Sequence, residues 1–307
     1  MNPIKGILLK LSAVTLFVIM AALIKAASDS VPTGERVFFR SFCAIPVILI
    51  WLLHRGELRT GLKTNNPMVH VWRGLIGTTA MASYFLSLGY LPFPEVTAIG
   101  FAAPLMTVIF AAMLLGEDVR IFRLSAVFVG LIGVSIMIYP RLTLFSQDVI
   151  QTTAAVGVIA ALLGAVFRAL AQIHIRKMVA TEQTSAVVFY FSLTASGLSL
   201  LTLPFGWVWP GPTDLALLIS AGLIGGVAQI LLTSGYRFAP ASVLAPFDYA
   251  SMILALLVGY FIFDETATKT MLGGAALVIA GGMAIIYREH RLGLAKRNSQ
   301  EKSRMVP

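Results

Sequence analysis

The sequence is poor in charge, in thiols and in the residues that build metal and catalytic centres. Only 12% of its 307 residues are charged, about half the share usual in soluble globular chains, so an ordinary water-facing surface is excluded. The one cysteine, Cys43, stands inside an apolar run; it permits no internal disulfide and no thiol framework for a metal. Four scattered histidines offer no metal-ligand spacing. No Gly-x-x-x-x-Gly-Lys stretch is present to cradle nucleotide phosphates, which sets aside a nucleotide-driven pump. Nothing in the sequence calls for a cofactor or a metal.

Apolar surface is what the chain has in excess. Its hydrophobic fraction is 58% and its mean hydropathy +0.86. Runs long enough to cross a bilayer, about 20 residues each, fall at 6–27, 36–54, 70–90, 94–115, 121–139, 152–174, 185–204, 214–235, 239–262 and 268–287. They predict an all-α integral membrane protein of ten transmembrane helices, with no room for a sizeable domain outside the lipid. Breakers such as Asn65-Asn66-Pro67 and Pro210-Gly211-Pro212 separate the runs. Lys5 followed by an apolar stretch resembles a secretory signal, but the stretch is too long and contains Lys10 and Lys25, so it reads as a retained first span.

The net charge of +9 would suggest nucleic acid if the chain were soluble. Counted over alternate loops, fifteen Lys and Arg fall on one side and three on the other. Cationic loops are kept in the cytoplasm, so both termini are predicted to be cytoplasmic. The charge then reports topology, and no nucleic-acid partner is expected. The basic tail 288–307 is expected to be disordered.

The chain also repeats itself. Gly89-Tyr90 with Pro94 recurs 146 positions later as Gly235-Tyr236 with Pro240, and Phe101 matches Phe247 at the same offset. At an offset of 148, Glu117 pairs with Glu265, Gly133 with Gly281, and Gly74-Leu75-Ile76-Gly77 with Gly222-Leu223-Ile224-Gly225. The repeat divides the chain into two five-helix units, 6–140 and 152–287. Because five is odd, the second unit enters the membrane from the opposite side. Two inverted repeats of this kind build secondary transporters, with a central site between the halves.

Val37-Phe38-Phe39-Arg40, Ala103-Pro104-Leu105, Leu115-Gly116-Glu117 and Phe263-Asp264-Glu265, taken in order, resemble the ten-helix drug/metabolite transporter superfamily of the EamA-domain type. The resemblance covers residues 6 to 287 and implies movement of small organic molecules across the bacterial inner membrane. Pro3-Ile4-Lys5-Gly6-Ile7-Leu8-Leu9-Lys10 and Arg59-Thr60-Gly61-Leu62-Lys63-Thr64 look like the proteobacterial riboflavin importers. His70-Val71-Trp72-Arg73-Gly74 is similar in members thought to carry S-adenosylmethionine or amino acids.

Ionisable residues deep in a span are costly and therefore candidates for function. Asp248 lies about 14 Å into the ninth run at 1.5 Å per residue, near the midplane, and its repeat mate is Ala102. It suits a polar substrate group, a proton, or a buried cation. Arg40, with Phe191 as its mate, suits a substrate anion or Asp248 itself, unless it snorkels outward. Arg168 and Gln172 share one helix face, and Gln229 offers an amide donor and acceptor at depth. Among the aromatics, Tyr249 and Phe39 are the first choices for stacking a planar ring. Lys10, Lys25, Arg73, His70 and His174 stand closer to span ends and are expected to meet water or headgroups. Glu95 suits a helix start.

These readings converge on a secondary transporter working by alternating access, with a small molecule and the bilayer as its partners. Riboflavin uptake is the favoured activity. Export or exchange of amino acids or S-adenosylmethionine-like metabolites is the alternative. A membrane-embedded enzyme is remote, since no acid/base cluster or paired carboxylates lie at membrane depth.

Overall fold

The computed structural model describes residues 3–64, 66–115, 121–141, 149–178, 181–239 and 241–304. Among these residues the secondary structure is helical throughout, without strands. The helices are α1 (Pro3–Ala26), α2 (Thr33–Phe42), α3 (Ala44–His54), α4 (Pro67–Leu88), α5 (Phe93–Gly100), α6 (Ala102–Leu115), α7 (Ile121–Ile138), α8 (Val149–Met178), α9 (Thr184–Leu200), α10 (Pro212–Phe238), α11 (Ala241–Leu244), α12 (Ala250–Phe263) and α13 (Lys269–Arg304). Each expected run falls on one helix or on consecutive helices. Among the described residues five segments are long and apolar enough to cross a membrane: Ile4–Ala26, Thr33–His54, Phe93–Leu114, Thr153–Ile175 and Pro212–Gly235. Shorter apolar helices cover Leu124–Ile138, Thr184–Leu200, Phe247–Phe263 and Lys269–Ile285.

Three interruptions have a common cause. Pro46, Pro104 and Pro246 lack the N–H that would bond back to the carbonyls of Phe42, Gly100 and Ser242. The helix breaks beside each: at Cys43 between α2 and α3, at Phe101 between α5 and α6, and through the 3-10 turn Ala245–Tyr249 that separates α11 from α12. Asp248 sits in that last turn and Arg40 three residues before the first break. Broken backbone at membrane depth is tolerated where it is buried in protein or lines a cavity.

Helix α1 packs on α10, α4 on α8 and α9, α2 on α9 and α10, α6 on α8, and α7 on α13. The α7–α13 seam is made by small residues, as membrane helices in close contact require. A Cβ on Gly133 would lie 2.6 Å from the Gly274 carbonyl oxygen, and one on Gly281 2.7 Å from that of Ala126.

Polarity is distributed as lipid solvation demands. Phe128, Ile159, Leu8 and Phe261 are exposed, whereas Lys10, Arg40, Arg73, Ser192 and Ser196 are buried. The tail expected to be disordered instead extends α13 to Arg304. It is rich in Lys, Arg, Leu, Ala, Glu and Gln, which favour helix, and carries no proline before 307. Glu117, matched with Glu265 in the repeat, lies outside the described residues.

Candidate functional site

A cavity of about 380 Å³ lies among α1, α2, α4, α5, α6, α8, α9, α10 and the broken segment before α12. Four of the expected residues line it: Arg40, Arg168, Gln229 and Asp248. Lys10, Arg73, Gln172 and Phe191 join them, so the wall holds four cations and one carboxylate.

Asp248 pairs with Lys10, not with Arg40. Lys10 Nζ stands 2.6 Å from Asp248 Oδ1, and the two side chains are 4% and 47% exposed. Lys10 is thus a buried wall residue two turns into α1 and not a headgroup contact. Counting turns from the helix start at Pro3 was the signal available for it. The half-exposed carboxylate keeps a face open to the cavity.

Arg40 and Arg73 come from α2 and α4 and meet at the same ring. Their guanidinium carbons lie 5.8 and 4.3 Å from the centroid of Phe191 on α9, within cation–π range. Arg73, expected at a solvated span end, is only 7% exposed. Each of the three cavity arginines lies beside a glycine. A Cβ on Gly77 would overlap Arg73 Nη1 and lie 2.7 Å from Phe191 Cε2. One on Gly225 would lie 3.4 Å from Arg40 Nε, and one on Gly100 3.4 Å from Arg168 Nη1. Arg168 itself sits 5.0 Å from the centroid of Tyr84. Gln172, one turn on, accepts a hydrogen bond from Thr107 Oγ1 at 3.4 Å.

This packing predicts opposite outcomes at two glycines. Gly77→Ala is expected to destabilise the protein by roughly 1–3 kcal/mol through overpacking. Gly273→Ala, where nothing lies within 4 Å of the new Cβ, is expected to be neutral or slightly stabilising because alanine is the better helix residue. Thermal unfolding of the two variants against wild type checks both.

Phe39 and Tyr249 are not among the residues lining the cavity. Phe39 stands edge-on to Phe38 at 5.6 Å. Tyr249 packs on Phe101, a wall residue, at 5.1 Å between centroids, and its hydroxyl faces Gly282 of α13. Tyr249 therefore supports the wall from behind, and Phe39 packs on the apolar core.

Polar ties close the bundle at both ends. At one end Lys25 Nζ contacts Glu265 Oε1 at 2.9 Å and donates to the carbonyls of Leu88 and Leu91 at 3.2 and 2.9 Å. Glu265 Oε2 accepts from the Phe93 N–H at 2.7 Å. At the other end His70 Nε2 meets Glu182 Oε2 at 3.2 Å, both side chains buried. Ser185 and Tyr190 donate to the carbonyls of Gly61 and Leu62 at 2.7 and 3.0 Å, and His174 Nε2 lies 3.0 Å from the Val69 carbonyl. Lys25, His70 and His174 therefore hold protein partners where water or headgroups were expected. A second, more open depression of about 470 Å³ lies at the α1–α2 turn, but its Arg36 is already engaged by the Phe85 carbonyl and Thr33. Among the described residues no three His, Cys, Asp or Glu side chains gather as metal ligands would.

Comparison with known proteins adds to this geometry. A model of the EamA-like transporter family matches the chain twice, over residues 4–139 and 155–287. The chain is 30% identical over 266 residues to the S-adenosylmethionine uptake transporter of Rickettsia prowazekii (strain Madrid E), covering 87% of each. It is 29% identical over 284 residues to the pseudopaline exporter CntI of Pseudomonas aeruginosa (strain UCBPP-PA14), covering 91% of this chain and 95% of that protein. A solved crystal structure, 23% identical, shares the fold with a TM-score of 0.68 over 94% of this chain and 97% of that one. The two named transporters carry the names of substrates other than riboflavin, which leaves the riboflavin expectation without support. The short stretches that suggested riboflavin lie at a helix start and in a connecting loop, away from the cavity wall apart from Lys10.

Proposed function

Because the chain belongs to the EamA-like transporter family of the drug/metabolite transporter superfamily, we propose that it moves a small amino-acid-type metabolite, S-adenosylmethionine or a related compound, across the bacterial inner membrane by alternating access. The observation that carries this reading is the cavity wall: Lys10, Arg40, Arg73 and Arg168 with Asp248 as the only carboxylate among its lining residues. Such a wall suits a ligand that bears a carboxylate. Asp248 is available to a cationic part of the same molecule, in competition with Lys10. An uncharged flat ring would leave these charges unanswered.

The proposed machine is two inverted five-helix repeats, 6–140 and 152–287, each of five spans, with both termini cytoplasmic. Two observations support it. The packing pairs exchange under the repeat: α1 on α10 corresponds to α8 on α4, α2 on α10 to α9 on α4, and α7–α13 to itself. The glycine seam does the same at the offset of 148, since Gly133 against Gly274 becomes Gly281 against Ala126. Rocking of one half against the other would then expose the cavity to alternate sides. The relatives include one importer and one exporter by name, and the same geometry serves either direction.

The test is counterflow. Vesicles holding the purified chain and unlabelled S-adenosylmethionine are expected to accumulate the labelled compound transiently, with no competition from riboflavin. Counterflow reports a carrier running in either direction. Absence of accumulation with the protein correctly inserted would remove S-adenosylmethionine as the substrate.

A further inference from the structure

We infer that Arg40 and Arg73 form a seat for the carboxylate of the transported metabolite, with the Phe191 ring as its floor; the assignment rests on the substrate class proposed above. Both side chains are buried, 4% and 7% exposed. Among the described residues neither forms an ion pair within 4.0 Å, and Nε of each, together with Nη1 of Arg73, has no hydrogen-bond partner. Other buried or partly buried cations of the bundle are answered by the protein: Lys10 by Asp248, Lys25 by Glu265 and two carbonyls, and Arg36 by the Phe85 carbonyl and Thr33 through both terminal nitrogens, although its Nε also lacks a partner. Two guanidinium groups sharing one ring are left over.

An unpaired buried charge is costly, and two of like sign beside the same ring repel each other. A cation–π contact offsets only part of that. The arrangement is completed by an anion, and the planar fork of a guanidinium fits a carboxylate with two parallel hydrogen bonds. Space has been kept for the pair. Gly77 and Gly225, mates at the repeat offset, stand beside Arg73 and Arg40. The repeat also explains why the seat is single. The mate of Arg40 is Phe191 and that of Arg73 is Ala221, so the two halves supply the cations and the floor, respectively.

The experiment measures thermal unfolding of the purified full-length protein. Without ligand, Arg40→Met and Arg73→Met are each expected to raise the unfolding temperature, by roughly 2–6 °C, because a buried unpaired charge is replaced by an apolar chain of similar length. A fall in either variant would mark the arginines as structural and overturn the seat. With ligand, S-adenosylmethionine is expected to stabilise wild type but not the Met variants, and its decarboxylated analogue to stabilise neither. Arg73→Lys, which keeps the charge and loses the fork, should raise KM roughly 10-fold or more, the scale of one charge-assisted hydrogen bond. Equal stabilisation by the decarboxylated analogue would overturn the seat and leave the transport reading standing. Should wild type ignore both compounds, the substrate reading fails, and methionine against methioninamide, together with the ligand-free shifts, decides the seat. Equal protection by inorganic phosphate or sulfate at matched ionic strength would overturn the carboxylate assignment in favour of a general oxyanion site.

Discussion

Asp248→Ala is expected to lower stability by roughly 2–4 kcal/mol and to abolish transport. Removing one member of a buried ion pair costs about 3–5 kcal/mol, because the other charge stays behind in a low dielectric. Here Lys10 is the deeply buried member and Asp248 the half-exposed one, so access of water to the carboxylate's side moderates the figure. The same asymmetry predicts the reverse experiment. Lys10→Met leaves Asp248 facing the cavity, where it is partly hydrated, and should cost less than about 1 kcal/mol, the scale of solvent-exposed pairs. The double variant Lys10→Met with Asp248→Leu should regain most of the lost stability while remaining inactive. Unfolding temperatures and counterflow rates of the three variants check the set; equal losses from the two single changes would contradict the burial argument. Asp248→Asn serves a separate question. Unimpaired transport with an unchanged pH profile would remove any proton-carrying role from this residue.

Lys25→Met should have the second large effect, about 3–5 kcal/mol, for a different reason. Lys25 is held at one end of the bundle by three acceptors, and its carboxylate partner also takes the Phe93 N–H. The side chain therefore joins α1, the end of α4, the start of α5 and the segment after α12. Its loss leaves Glu265 with a reduced set of donors and two carbonyls without theirs, in partly buried surroundings. Glu265→Gln keeps an acceptor for the Phe93 N–H and should cost about 1–2 kcal/mol. Because neither Lys25 nor Glu265 lines the cavity, and the tie reaches its wall only through the backbone N–H of Phe93, the functional readout is expected to be altered turnover with KM changed far less than by the cavity arginine variants. A KM change equal to that of the cavity arginine variants would place Lys25 in the binding site instead.

The residues chosen from sequence divide instructively. Arg40, Arg168, Gln229 and Asp248 share the cavity wall; Asp248 and Gln229 were singled out by depth in an apolar run, a property that counting along the chain provides, whereas Arg40 and Arg168 were chosen as charges inside runs but nearer their ends. Phe39 and Tyr249 were chosen from the aromatics that concentrate around the recurring motifs; each adjoins a wall residue in sequence, yet neither lines the cavity. Adjacency in sequence points side chains about 100° apart on a helix, so the neighbour of a cavity residue commonly faces elsewhere. Lys10 and Arg73 went the other way. They lie near enough to span ends to permit snorkelling, and nothing in their own helices shows that a carboxylate from a distant turn or the ring of Phe191 awaits them.

The riboflavin reading is left without support for a similar reason. Short likenesses at Pro3 to Lys10 and Arg59 to Thr64 report ancestry and helix boundaries. Substrate choice is set by the side chains that face the cavity, and these come from helices far apart in sequence.

Composition and spacing alone determined that this chain is a helical, lipid-solvated transporter with recurring motifs in its two halves. Those properties depend on how many apolar residues occur and at what intervals, and both are linear. Tertiary structure decided which cations are neutralised and which are left facing a cavity. The reason is geometric: burial depth follows from position along one helix, but charge pairing depends on the rotation of that helix and on which neighbour it meets, as Lys10 against Asp248 and Arg73 against Phe191 both illustrate.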